Sequence, residues 1–201
     1  GLVWNIGEKP VEGYSNFLWV ALGAGVIKLG LPIVTVMKLI GAGLGILCVV
    51  LIFLISKLDL SASQAVMPAL LLGASPTLVL WSVAGLETSL YVALLLAALY
   101  WFLGEEAGTS KASTQFWSSA LLFLVSLTRP EGIAVFGSLA LARIILWIRR
   151  AERRPDLRRY LVWIGGFAGI WLIYFSWRWS YFGYPFPNTA YVKVKSRLGA
   201  I

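Results

Sequence analysis

Long apolar runs recur along the whole chain, separated by short clusters of glycine, proline and charge. They predict transmembrane helices near residues 33–56, 62–83, 86–103, 112–127, 131–148 and 160–177, because a hydrocarbon core of about 30 Å is crossed by roughly 20 apolar residues in a helix. The fourth rests on the shorter stretch FWSSALLFLVSL, with Trp117 suited to anchor one interface. Pro68 and Pro76 fall inside the second and predict a kink or a division into half-helices, which neighbouring helices can satisfy. The stretch NFLWVALGAGVIKLG, residues 16–30, is apolar but short and broken by glycine, with Asn16 and Lys28 near its ends. It fits a helix lying in the membrane interface better than a seventh, shallow span. The expected fold is therefore all-α: a polytopic transmembrane bundle (33–177) of about six spans, preceded by an outer loop and interfacial helix (1–32) and followed by an outer loop (178–201), as one domain.

Composition agrees, since 59% of the residues are hydrophobic, 13% are charged and mean hydropathy is +0.82, against about a quarter charged in soluble domains. A cleavable signal peptide does not account for this, because the apolar segments extend far beyond the start. Cys48 stands alone within an apolar run, which excludes a disulfide inside the chain. Histidine is absent, and with it imidazole metal sites, Ser-His-Asp triads and histidine proton relays. Acid–base work must fall to carboxylates. The opening GLVWNIGEKP reads as the middle of a loop, so an upstream segment is expected.

The loops set an orientation. RRAERRPDLRR, residues 149–159, carries six arginines against two acids and marks the cytoplasmic side. With six spans, VEGYSN, GLETS, TRPEG and YFGYPFPNTAYVKVKSR then converge on the outer face. Each has an ordinary explanation. Arg129 and Glu131 fit an exposed interfacial ion pair worth about 0–1 kcal/mol, and Glu87 fits a first-turn acid at a helix start. The tail is less ordinary: three cations on the translocated side, Lys193, Lys195 and Arg197, lie on one face of an extended segment. Such a group suits an anionic ligand like a lipid phosphate, gripped by paired arginine hydrogen bonds and by lysine as a point charge.

GLVWNIGEKPVEGYSNFLW, LETSLY, LTRPEG and YFGYPFPNTAYVK, in this order and spacing, resemble bacterial GT-C glycosyltransferases. The nearest likeness is to arabinofuranosyl- and mannosyltransferase-like membrane proteins that use polyprenyl-phosphate sugars. The resemblance implies a multi-pass protein of the bacterial cytoplasmic (inner) membrane with an outward active face, serving the cell envelope by inverting transfer. It places the catalytic acid, an Asp or Asp pair, just after a first transmembrane helix and shortly before GLVWN, hence upstream of Gly1.

On this resemblance the donor enters from the bilayer, the acceptor is a glycan, lipid or protein hydroxyl, and membrane lipids complete the partners; no nucleic acid is expected. Arg129, Lys193, Lys195 and Arg197 would stabilise the phosphate leaving group. Tyr14, Asn16 and Asn188 would hydrogen-bond sugar hydroxyls, and Tyr181, Tyr184, Phe186 and Tyr191 would wall the lipid or stack on the sugar. Glu12, Glu87 and Glu131 would position the acceptor or offer oxygen ligands to a divalent cation, the one cofactor entertained; Glu131 would also orient Arg129.

Two other classes compete. A non-catalytic GT-C-like subunit of a membrane complex needs no base. A transporter would place charges at the bilayer midplane, whereas Lys38 and Arg143, the charges within spans, are expected to snorkel to nearby ends.

Overall fold

The computed structural model describes residues 11–107, 116–149 and 157–185. Eight helices and no strand occur among them: α1 Phe17–Lys28, α2 Ile33–Ser56, α3 Ala62–Gly73, α4 Pro76–Val83, α5 Thr88–Glu106, α6 Trp117–Thr128, α7 Gly132–Arg149 and α8 Leu157–Phe182. Helices α2, α5, α7 and α8 are each long and apolar enough to cross a membrane, and α3 with α4 makes a fifth crossing if the bent pair counts as one span. The apolar helices mark a membrane protein. The expected breakage of the second span is present: Ala74 and Ser75 separate α3 from α4 and the axes differ by 60°. Pro76 occupies the first turn of α4, where its missing N–H costs nothing, while Pro68 is accommodated inside α3. Ser61 starts α3 with a reciprocal capping box to Gln64.

The pair retraces α2. A side chain at Gly73 would meet Val49, one at Gly41 or Gly45 would meet Ser82, and Gly85 abuts Lys38. The chain thus returns from the Ser56 end of α2 toward its Ile33 end, as a broken span does and a re-entrant loop does not. Close approach needs small residues, as is common where membrane helices pack. A Cβ on Gly41 would stand 2.5 Å from the Ser82 carbonyl oxygen, whereas one on Gly43 would meet nothing within 4 Å. Gly41→Ala is expected to lower the thermal midpoint in detergent, the overpacking cost of about 1–3 kcal/mol outweighing the helix-propensity gain. Gly43→Ala is expected to be neutral or to gain up to about 1 kcal/mol.

Helices α1 and α6 are shorter, twelve residues each, or roughly 18 Å at the α-helical rise. The span predicted at 112–127 is therefore described as a shorter helix displaced toward the C-terminus, with residues 108–115 outside the described part. Helix α6 is nonetheless central, packed against α1, α5, α7 and α8, with Ser118, Ser119, Leu122, Val125, Leu127 and Thr128 buried. It runs antiparallel to α5, since Ser118 meets Glu105 at one end and Arg129 meets Glu87 at the other. Around it lies an aromatic core of Phe102, Leu122, Trp163 and Phe167, with Phe136 stacked on Phe167 at 3.7 Å. Helix α1 packs on α2 through Trp19, Val26 and Met37.

One expectation is overturned. Arg143 does not snorkel; it is 4% exposed and turns into the bundle. Its Nη2 donates to Glu105 Oε2 at 2.5 Å, and its Nε lies 3.0 Å from Glu106 Oε1. Its guanidinium lies over the rings of Trp163 at 4.3 Å and Phe102 at 4.7 Å. Glu105 is held further by the Ser118 hydroxyl at 2.6 Å, and Trp163 Nε1 donates to that hydroxyl at 2.7 Å. The carboxylates at the end of α5 give the arginine a nearer partner than solvent.

Candidate functional site

Three stretches far apart in sequence meet at the opposite end of the bundle: the loop before α1, the turn before α5 and the α6–α7 corner. At that corner Arg129 is extended, which suits the residue before Pro130, and helix α6 ends there. Gly132 lets α7 start against α6: a Cβ on it would lie 2.6 Å from the Ser126 backbone. The corner is thereby held rigidly.

Arg129 Nε and Nη2 donate to the two Glu131 oxygens at 3.5 and 3.4 Å, long contacts between exposed groups that set Glu131 beside the guanidinium. Glu131 also pushes the Arg129 pKa up, chiefly through these hydrogen bonds. Glu87 Oε1 lies 3.9 Å from Arg129 Nη1 and the Tyr91 ring 5.8 Å from its guanidinium carbon. Asn16 Nδ2 donates to Glu87 Oε2 at 3.2 Å, tying the first loop to this cluster. Arg129, at 40% side-chain exposure, keeps Nη1 beyond hydrogen-bond reach of Glu87 and open to a ligand. The trio Arg129, Glu87 and Glu131 carries one positive and two negative charges, so it does not by itself attract an anion.

Beside it lies a second pair that hydropathy did not reveal. Glu12 is buried, and Arg178 in the last turns of α8 grips it: Nε stands 2.9 and 2.8 Å from its two oxygens and Nη2 donates to Oε2 at 2.5 Å. Arg178 Nη1 donates to the Pro185 carbonyl at 2.8 Å. The signal available in sequence was a lone arginine in the aromatic run YFSWRWSYF. Tyr14 rests edge-on against Phe182 and its hydroxyl is buried with no hydrogen-bond partner among the described residues. Burial, then the Glu12 charge, pushes its pKa up to about 12, so it is a neutral donor near neutral pH.

Glu12 and Arg178 line a cleft of about 270 Å³. Pro130 and Ser126 of the α6–α7 corner form one wall, and Trp171, Tyr174, Phe175 and Phe17 supply aromatic surface. Tyr181 stacks on Trp177 outside it, and Tyr184 is exposed. The structure thus gathers Glu12, Tyr14, Asn16, Glu87, Arg129 and Glu131 at one end of the bundle. Asn188, Lys193, Lys195, Arg197, Phe186 and Tyr191 lie outside the described residues.

A divalent cation does not fit what is described. Glu12, Glu87 and Glu131 are each paired with an arginine, and no group of three potential metal ligands occurs among the described residues. No protein-family model, curated protein or solved structure matches this chain.

Proposed function

We propose that the chain is the membrane body of a GT-C-type glycosyltransferase, moving a sugar from a polyprenyl-phosphate donor to a hydroxyl acceptor at the outer face of the bacterial cytoplasmic membrane. The observation that carries this proposal is the convergence of EGYSN and TRPEG with the end of α8 around one aromatic-walled cleft that Glu12 lines, with LETS joined beside it through the contacts of Glu87 to Asn16 and Arg129. An aromatic face beside hydrogen-bonding groups matches a sugar, which presents C–H groups on one side and hydroxyls at its edge. Read as six passes, counting α3–α4 and α6 as one each, the chain has this end on the side away from Arg149 and Leu157, which flank the arginine-rich stretch, and on this proposal that side is the outer one.

In the proposed reaction the acceptor oxygen bonds to the anomeric carbon as the bond from that carbon to the phosphate oxygen breaks. The electron pair leaves with the phosphate and the acceptor proton goes to a carboxylate base. Among the described residues Glu12 is engaged by Arg178, and Glu87 and Glu131 flank Arg129. Arg129, offering Nη1 at a rigid corner, is placed to meet charge developing on the phosphate, with Lys193, Lys195 and Arg197 supplying the net positive charge that the trio lacks.

In the complete protein, Arg129→Ala and Lys193→Ala are expected to reduce turnover of a polyprenyl-phosphate sugar by roughly 10²-fold each, with expression intact. Normal turnover in both variants removes them from the phosphate site. The pairing of every described carboxylate in the cluster also favours a second reading, a non-catalytic subunit. Stable copurification with a membrane complex, with no sugar transfer by the complete protein, would establish that role instead.

A further inference from the structure

A second concavity, of about 520 Å³, lies between α1, α2 and the α4–α5 turn. Its walls are Trp19, Gly23 and Ile27 on one side and Val34 and Met37 on the other, with Gly85 at its end. The small residues Gly23 and Gly85 keep it open. Among the groove's lining residues only Lys38 is charged. Lys38 is exposed, and its ammonium has no ion-pair or hydrogen-bond partner among the described residues.

The position of Lys38 along α2 says what this cation meets. Helix α2 has 24 residues, about 36 Å at the α-helical rise, which exceeds a hydrocarbon core of about 30 Å. Lys38 stands five residues from its start, roughly 7.5 Å down the axis. That places it near the boundary between headgroups and hydrocarbon, where a lysine lays its methylenes along apolar surface and lifts its ammonium to the phosphates. A surface that is apolar below and singly cationic at the rim complements a chain bearing an anionic head.

We propose that this groove holds one hydrocarbon chain of an anionic phospholipid from the adjacent leaflet, with the headgroup phosphate on Lys38. This stands on the membrane character of the helices and does not depend on sugar transfer. The ion cluster at Glu87 begins two residues beyond Gly85, so the lipid would border that cluster, while the groove and the cleft have no lining residue in common.

The test is retention of lipid by the full chain in native mass spectrometry, after release from nanodiscs of mixed phosphatidylglycerol and phosphatidylcholine. The expected result is one phosphatidylglycerol held in preference to phosphatidylcholine, with Lys38→Gln weakening that preference about five-fold, one cation near a membrane surface being worth about 1 kcal/mol. Lys38→Arg keeps it. Ala24→Trp, which fills the groove from α1, is expected to abolish retention while leaving the Lys38 charge in place. Equal retention of the two lipids by the unmodified chain overturns the proposal, as does a preference that Lys38→Gln leaves unchanged or retention that survives Ala24→Trp.

Discussion

Replacing Glu105 by Ala is expected to destabilise the bundle by about 3–5 kcal/mol, because it strands Arg143 in the interior with one carboxylate instead of two. Arg143 is 5% exposed at its side chain and Glu105 2%, so solvent cannot take the place of the lost partner. The loss spreads beyond the pair. Ser118 would lose its acceptor, and Trp163 donates to Ser118, so α5, α6, α7 and α8 are joined through one carboxylate. Arg143→Met, which leaves the buried Glu105 and the partly buried Glu106 without the guanidinium, is expected to cost a similar amount. The double variant Glu105→Gln with Arg143→Met should recover much of the loss, since breaking a buried pair costs more than removing it. Thermal unfolding in detergent checks all three, and a single-variant loss below about 1 kcal/mol would show that the network does not hold the bundle together.

The helices that the apolar pattern made legible are those whose lipid-facing and packed surfaces are both apolar: α2, α5, α7 and α8 lie close to the predicted spans. The break in the second span was legible because proline acts locally. Helix ends near charges were not. The predicted spans stop at 103 and 177, while α5 continues through Glu105 and Glu106 and α8 through Arg178. Hydropathy scores each charge alone, but a buried charge facing its opposite across the bundle does not end a helix. Glu12 and Arg178 are 166 positions apart, and Glu105 and Arg143 are 38 apart. No window along the chain contains either contact.

The candidate site was legible in part for the same reason. Asn16, Glu87, Arg129 and Glu131 stand at the ends of apolar runs, where a charge invites explanation, and the fold brings them together. Their sharing of charge was not readable from sequence. Arg129 is poised between two carboxylates instead of standing free, so its electrostatic effect on an anion depends on cations elsewhere. Glu12, expected on the same face, is there but serves first as the partner of a helix residue.

That partnership leads to the second large effect. Arg178→Ala is expected to cost about 3–5 kcal/mol by leaving Glu12 buried and unpaired, with the damage concentrated in the loop before α1. The loop carries Glu12, and Arg178 also donates to the Pro185 carbonyl beyond α8, so one guanidinium joins two chain segments that wall the cleft. Hydrogen exchange should then rise at residues 11–16 and 183–184 and remain low across the Glu105–Arg143 end, where the contacts of Glu105 and Arg143 among the described residues include neither Glu12 nor Arg178. Arg178→Lys should rescue little, because a single ammonium cannot reproduce the paired donors to Glu12 together with the carbonyl contact. Glu12→Gln should be milder than Glu12→Ala, since its amide oxygen still accepts from the guanidinium. If sugar transfer is this protein's activity, the rank order of the four variants in turnover should follow their exchange at residues 11–16. Unchanged exchange there in Arg178→Ala would show that the ion pair does not organise the cleft.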